Sequence, residues 1–275
     1  MTAVLEARSI TVQRGARRLL DAVDFALYPG ERVAVLGPNG AGKTTFLRCL
    51  TGAWTPEEGE IYWDGKPLSE WPARTLARRR AVVRQNGTLD FDFPVPEVVA
   101  MGLVPHGPKA QADADDIVRS SLQKVGALNL YDRRWSRLSG GEQQRVTLAR
   151  TIAQLEGGSE SASRALLLDE PTNHLDPVWQ LEALSVAGKL ASRGVAVLAI
   201  LHDLTLASSW ADRILLLHEG RTVSVGPPEA VLTDENMRSV FQLEATVLPH
   251  PVHGRAWVIP TRACFKDSNR HPENP

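Results

Sequence analysis

The sequence predicts an α/β fold with a mostly parallel sheet and a helical region inserted between two of its strands. Three observations predict it. Apolar runs such as ALLL (165–168) and VAVLAIL (195–201) have no polar alternation, which marks strands buried on both faces, as strands of parallel sheets are. Strand-like runs at 5–12, 32–36, 81–84, 165–168, 195–201 and 213–217 alternate with stretches of helical period, the pattern of α/β chains. From Asn86 the pattern changes to helices joined at Pro and Gly, and the insertion is expected over roughly residues 86–150. A single domain is expected over 1–260, with a polar, proline-punctuated tail over 261–275.

Composition bounds the rest. A chain of 275 residues with 43% hydrophobic content buries a sizeable core without disulfide staples. A net charge of −1 argues against a general nucleic-acid partner. Cys49 and Cys264 are far apart and suit a reducing compartment. The N-terminal MTAVLEARSITVQRG alternates like a strand and is not expected to be a signal peptide. The longest apolar runs fall short of the ~20 residues that cross a bilayer, so a soluble chain is expected, reaching a membrane through a partner. The loop GGSESASR (157–164) is of low complexity and carries no expected chemistry.

The first chemical element is GPNGAGKTT: Gly37, Pro38, Asn39, Gly40, Ala41, Gly42, Lys43, Thr44 and Thr45. Gly37, Gly42, Lys43 and Thr44 satisfy G-x-x-x-x-G-K-[ST], between the strand-like RVAVL and the helical TFLRCL. Glycines allow successive amides to converge on a phosphate, and the helix N-terminus adds partial positive charge. Lys43 is expected on the β- and γ-phosphates and the Thr44 hydroxyl on Mg²⁺. The ligand is therefore a nucleoside triphosphate. The second element is ALLLDEP. Asp169 ends a buried strand, where ligands of open α/β sheets bind, and is expected to hold the Mg²⁺ through water. Glu170 is placed to polarise a water against the γ-phosphate, so hydrolysis is expected and not binding alone.

The third is LSGGEQQRVTLAR. Ser139 and Glu142 have capping-box spacing, and Val146, Ala149, Ile152 and Ala153 follow at helical period. A plain helix start needs no paired glycines, so the Ser139 hydroxyl and the amides of Gly140 and Gly141 are expected to face an external anion.

At this point the chain resembles the ATP-binding subunit of ABC transporters along nearly its whole length. The shared features come in order: phosphate loop, Gln85, LSGGEQQ, ALLLDEP, the NHLD turn (173–176) and His202 after a buried strand. The resemblance implies the P-loop NTPase core of the ABC ATPase fold, with an N-terminal antiparallel β subdomain. It implies ATP and Mg²⁺ as cofactors, and Gln85 in contact with the metal and the attacking water. Ser139 and Gly141 would bind the γ-phosphate held by a second copy, so two copies sandwich the ATP. Asp176 would lie at that interface and His202 would grip the γ-phosphate; alone, His202 reads as a capping or core histidine. The implied partners are transmembrane permease subunits and, through them, a periplasmic substrate-binding protein. The implied location is the cytoplasmic face of the inner membrane. Where the family usually places an aromatic against adenine, this chain has Arg14; a guanidinium also stacks on a π face, and Arg17 or Arg18 could serve instead.

Within the family, the segment 85–107 is similar to importer subunits for haem, ferric siderophores and cobalamin. The extra loop before ALLLDEP and the segment VLPHP look most like haem importers, so haem is the expected cargo. The alternatives are the same role in a ferric siderophore or cobalamin importer and, less favoured, a soluble ATPase of nucleic-acid repair or translation, whose second nucleotide unit or long insertions are missing from this sequence. His250 and His253 could ligate haem iron through an H-x-x-H pair, but the reading adopted is a turn between two short strands, 246–248 and 256–259.

Overall fold

The computed structural model describes residues 2–84, 92–108, 110, 114–157, 162–173 and 175–264. Its centre is a six-stranded sheet of order β10-β9-β3-β8-β7-β6, formed by β3 (Arg32–Leu36), β6 (Arg80–Val83), β7 (Ala165–Asp169), β8 (Ala196–Ile200), β9 (Arg213–His218) and β10 (Arg221–Gly226). The pairs β3/β8, β3/β9, β6/β7 and β7/β8 are parallel; β10 closes the edge antiparallel to β9. Every residue of β7 and β8 is buried, as the unbroken apolar runs require.

Alternation within those strands divides the core in two. Val33, Val35, Leu167, Leu198 and Ile200 face one side, where they meet Phe46, Leu47 and Leu50 of the helix Lys43–Leu50 and the N-terminal sheet. Ala34, Leu36, Leu166, Leu168 and Val197 face the other, against Val146, Ala149 and Ile152 of the helix Gly140–Glu156 and Leu184, Ala187 and Leu190 of the helix Pro177–Ala191. Each such leucine contributes about 1.5–3 kcal/mol by leaving water.

The antiparallel subdomain has order β2-β1-β4-β5, from β1 (Leu5–Arg14), β2 (Arg17–Leu27), β4 (Glu58–Trp63) and β5 (Lys66–Pro67). Sequence reading picks out β1 alone among these. The β1–β2 register shifts three times and Ser9 and Ala22 have positive φ, so the alternation that marks a strand is broken. Between β6 and β7 lie the helices Val95–Ala100, Ala114–Lys124 and Gly140–Glu156. The last is one continuous helix that also packs on the sheet, so a boundary at 150 cuts through it. β11 (Leu243–Pro249) and β12 (Ala256–Ala263) form a separate hairpin, longer than the strands expected at 246–248 and 256–259. Both cysteines are free. Among the described residues no helix is long and apolar enough to cross a membrane. Gln85, part of the 157–164 loop, and the tail from 265 lie outside the described residues.

Candidate functional site

Three neighbouring strands, β3, β8 and β7, end on one edge of the sheet and deliver the predicted residues there. After β3 the chain turns through the glycine loop into the helix beginning at Lys43, whose N-cap Gly42 has φ 101° and supplies no side-chain cap. The first-turn amides therefore lack an internal acceptor and carry the positive end of the helix dipole. The loop is wedged against its surroundings. A Cβ on Gly37 (φ +147°) would stand 2.1 Å from the Leu217 carbonyl oxygen, and one on Gly42 would stand 2.7 Å from that of Leu19.

Lys43 is buried and folded back over the loop, its Nζ donating to the Gly37 carbonyl at 2.6 Å and the Pro38 carbonyl at 3.0 Å. Burial lowers its pKa, and the negative charges of Glu170 and Asp169 oppose that shift. Pro38, Asn39, Gly40 and Ala41 line a cleft of about 670 Å³ with Arg17 and Arg18. The Arg17 Nη2 lies 3.4 Å from where a Gly40 Cβ would be. Arg14 instead holds its guanidinium 4.6 Å from the centre of the Trp54 ring, which Arg48 also approaches at 4.9 Å. Arg17 is one of the two arginines read as alternatives to Arg14, whereas Trp54 carries no sequence signal of such a role and stands in an unmarked turn, GAWTPEEG.

Asp169, the last residue of β7, is buried, and its Oδ1 has no hydrogen-bond partner among the described residues. Burial, then the neighbouring Glu170 charge, raises its pKa. Glu170 takes a left-handed backbone conformation, φ +52°, which turns the chain out of the strand. Its Oε1 lies 2.7 Å from His202 Nε2, and the Asn173 amide donates to its Oε2. Register explains the meeting: Asp169 pairs with Ile200 across β7 and β8, so Glu170 and His202 both emerge just beyond the pair. Sequence reading includes Asn173 only as part of the NHLD turn. Asp176 caps the helix Pro177–Ala191, accepting from the Trp179 amide at 3.1 Å.

The LSGGE turn lies on the helical insertion. Its capping box is complete: Ser139 N donates to Glu142 Oε2 at 2.8 Å and Glu142 N donates to Ser139 Oγ at 3.3 Å. Ser139 Oγ is thus used as an acceptor, leaving its proton for an external oxygen. A Cβ on Gly140 would meet nothing within 4 Å, and one on Gly141 would be 3.5 Å from Leu175 Cδ2, so the turn presents bare backbone outward. The structure thereby joins Glu170, His202 and Asn173 directly and places Lys43 and Asp169 within electrostatic reach of one another. Ser139 bonds within its own turn, to Glu142.

The hairpin histidines stack, ring centroids 3.9 Å apart and planes within 2°. His250 Nδ1 accepts from the Val252 amide and His253 Nδ1 from the Arg255 amide, which is the bonding of a turn.

The sequence pattern of the ABC transporter family matches residues 20–173. The chain is 45% identical over 248 residues to the hemin import ATP-binding protein HmuV of Bordetella avium, covering 90% of this chain and 95% of that one. It is 46% identical to the protein of the same name from Pseudomonas fluorescens, covering 93% and 99%. Among solved structures, a metal-chelate type ABC transporter in an inward-facing conformation superposes with a TM-score of 0.77 at 26% identity, covering 95% of this chain and 98% of that one. An Atm1-family exporter with ATP bound superposes at 0.71 with 27% identity, covering 84% and 40%. With loop, strand-end carboxylates and LSGGE turn all present, and the family's sequence pattern matched across them, this chain belongs to the ABC transporter family.

Proposed function

We propose that this chain is the ATP-hydrolysing subunit of an importer whose cargo is haem, seated on the cytoplasmic face of the inner membrane. The observation that carries the cargo is its 43–46% identity, over 90% or more of its length, to hemin import ATP-binding proteins. ATP enters with its phosphates in the Gly37–Thr45 loop, and Lys43 leaves the Gly37 and Pro38 carbonyls for the β- and γ-phosphates. Glu170, held by His202 and Asn173, accepts the proton of the attacking water, and His202 steadies the γ-phosphate. Arg14 is the adenine-stacking residue in this reading. The donor set fits Mg²⁺, a hard cation that favours oxygen and keeps several waters: Asp169 offers a buried carboxylate oxygen with no partner among the described residues and Thr44 a hydroxyl, with Gln85 as a further oxygen donor. Bound there, Mg²⁺ would neutralise charge on the phosphates.

A second copy completes the site, its Ser139, Gly140 and Gly141 closing on the γ-phosphate. Transmembrane permease subunits take up the resulting motion, and a periplasmic substrate-binding protein delivers cargo to them. The test is transport. Vesicles carrying this subunit with its permease, loaded with Mg-ATP, should accumulate haem from a haem-loaded binding protein outside. Uptake of a ferric siderophore or cobalamin without haem would overturn the cargo assignment, and uptake independent of ATP would overturn the subunit's role.

A further inference from the structure

Two segments with different duties meet behind the ATP-facing edge. The LSGGE turn opens the helix Gly140–Glu156 on the insertion, and the stretch from Pro171 to Asp176 trails Glu170 on the core. In the shared-site reading, on which this inference rests, the turn serves ATP on the second copy while Glu170 serves ATP on its own chain. Each composite site therefore needs the two segments at a fixed spacing, because displacements near 1 Å cost about a hundredfold in rate.

Arg145 lies three residues beyond Glu142 of the capping box. Its guanidinium carbon sits 3.8 Å from the centre of the Trp179 ring, within the range of a strong cation–π contact. Its Nη1 donates to the Gly126 carbonyl at 2.9 Å, and its Nε is buried with no hydrogen-bond partner among the described residues. Trp179 is the residue whose amide Asp176 caps, which ties the ring to the end of the trailing segment. Gly126, which follows the helix Ala114–Lys124, packs on the same ring: a Cβ there would stand 3.6 Å from it. Beside the stack, the Gln144 side chain donates to the Pro171 carbonyl. Burial lowers the pKa of Arg145, and the charges of Glu142 and Asp176 oppose that shift.

We propose that Arg145 and Trp179 are positioning residues, a cation–π stack that holds the LSGGE turn of each chain in register with the segment carrying Glu170. Neither touches ATP. Loss of the stack should leave nucleotide binding to one chain intact and impair the assembly that needs both segments.

The experiment uses the full chain carrying Glu170→Gln, so that ATP persists, and follows Mg-ATP-dependent dimerisation by light scattering and monomer affinity with a fluorescent ATP analogue. Adding Trp179→Ala or Arg145→Lys should raise the protein concentration at half-dimerisation by about tenfold or more, with monomer affinity changed by less than about twofold. Trp179→Phe, which keeps an aromatic face, should restore dimerisation to within about twofold. Dimerisation unchanged by Trp179→Ala, or lost equally in Trp179→Phe, would overturn the inference. If Trp179→Ala does not fold, Arg145→Lys decides, because it keeps the charge and removes the planar fork. A parent Glu170→Gln chain that stays monomeric with Mg-ATP would overturn the shared-site reading and this inference together; a parent dimer indifferent to both changes would overturn this inference alone.

Discussion

Replacing Glu170 with glutamine tests the chemistry at its centre. The substitution keeps the side chain's shape and leaves one oxygen to accept the Asn173 amide, which now bonds Glu170 Oε2. The other atom, 2.7 Å from His202 Nε2, loses its negative charge, and with it the ability to take a proton from water. General-base catalysis contributes about 10²- to 10⁴-fold, and at about 1.4 kcal/mol per tenfold this is roughly 3–5 kcal/mol of transition-state stabilisation. ATP turnover should fall by that factor while ATP affinity stays, since Lys43 and the loop amides are untouched. His202→Ala should also lower kcat. If the two side chains act as a unit, the double variant should be little worse than Glu170→Gln alone, because effects within a catalytic unit are not additive. Phosphate release from Mg-ATP for the three variants, beside nucleotide affinity, is the assay. A Glu170→Gln protein turning over ATP at nearly the parent rate would refute the base assignment, and full additivity would refute the unit.

Lys43→Ala should raise the Kd for ATP roughly ten- to a hundredfold, since a charge-assisted hydrogen bond contributes about 1.5–3 kcal/mol; an unchanged Kd by titration would exclude contact with the phosphates. Gly37→Ala should lower stability by at least 1–3 kcal/mol, roughly the scale of backbone strain, because its Cβ would meet the Leu217 carbonyl at 2.1 Å; thermal unfolding at the parent temperature would show the loop less wedged than described. Arg14→Ala should weaken ATP binding by about 1 kcal/mol if Arg14 stacks on adenine; a loss seen instead in Arg17→Ala would move that role to the arginine beside Gly40. His253 should titrate below the usual value of 6.5, chiefly from desolvation and then the neighbouring His250 charge. The folded hairpin then binds fewer protons than the unfolded chain as pH falls below 6.5, so its stability declines toward acid; an imidazole resonance titrating at or above 6.5 would contradict the stack.

What could be read from the sequence and what could not divide along a physical line. The phosphate loop, ALLLDEP and LSGGE were legible because each is contiguous: the residues that act together are neighbours in the chain, and their spacing alone fixes the backbone they need. The buried strands were legible because a sheet covered on both faces admits no polar alternation, as in β7 and β8. β2 was not, because Arg17, Arg18, Asp21 and Asp24 interrupt it and its register with β1 slips. The long-range pairings were equally hidden. His202 reads as an ordinary histidine until β8 pairs with β7 and brings it to Glu170, and Trp179 reads as one apolar residue on a helix until Arg145 lies over its face. Such contacts depend on which strands are neighbours and on how the helical insertion folds back over the core. Both are set by burial summed over the whole chain, so no single segment carries the signal. The same division bears on where substitutions act: changes within the contiguous loops should fall on nucleotide affinity, whereas changes at Arg145 or Trp179 should spare affinity and fall on the geometry between segments.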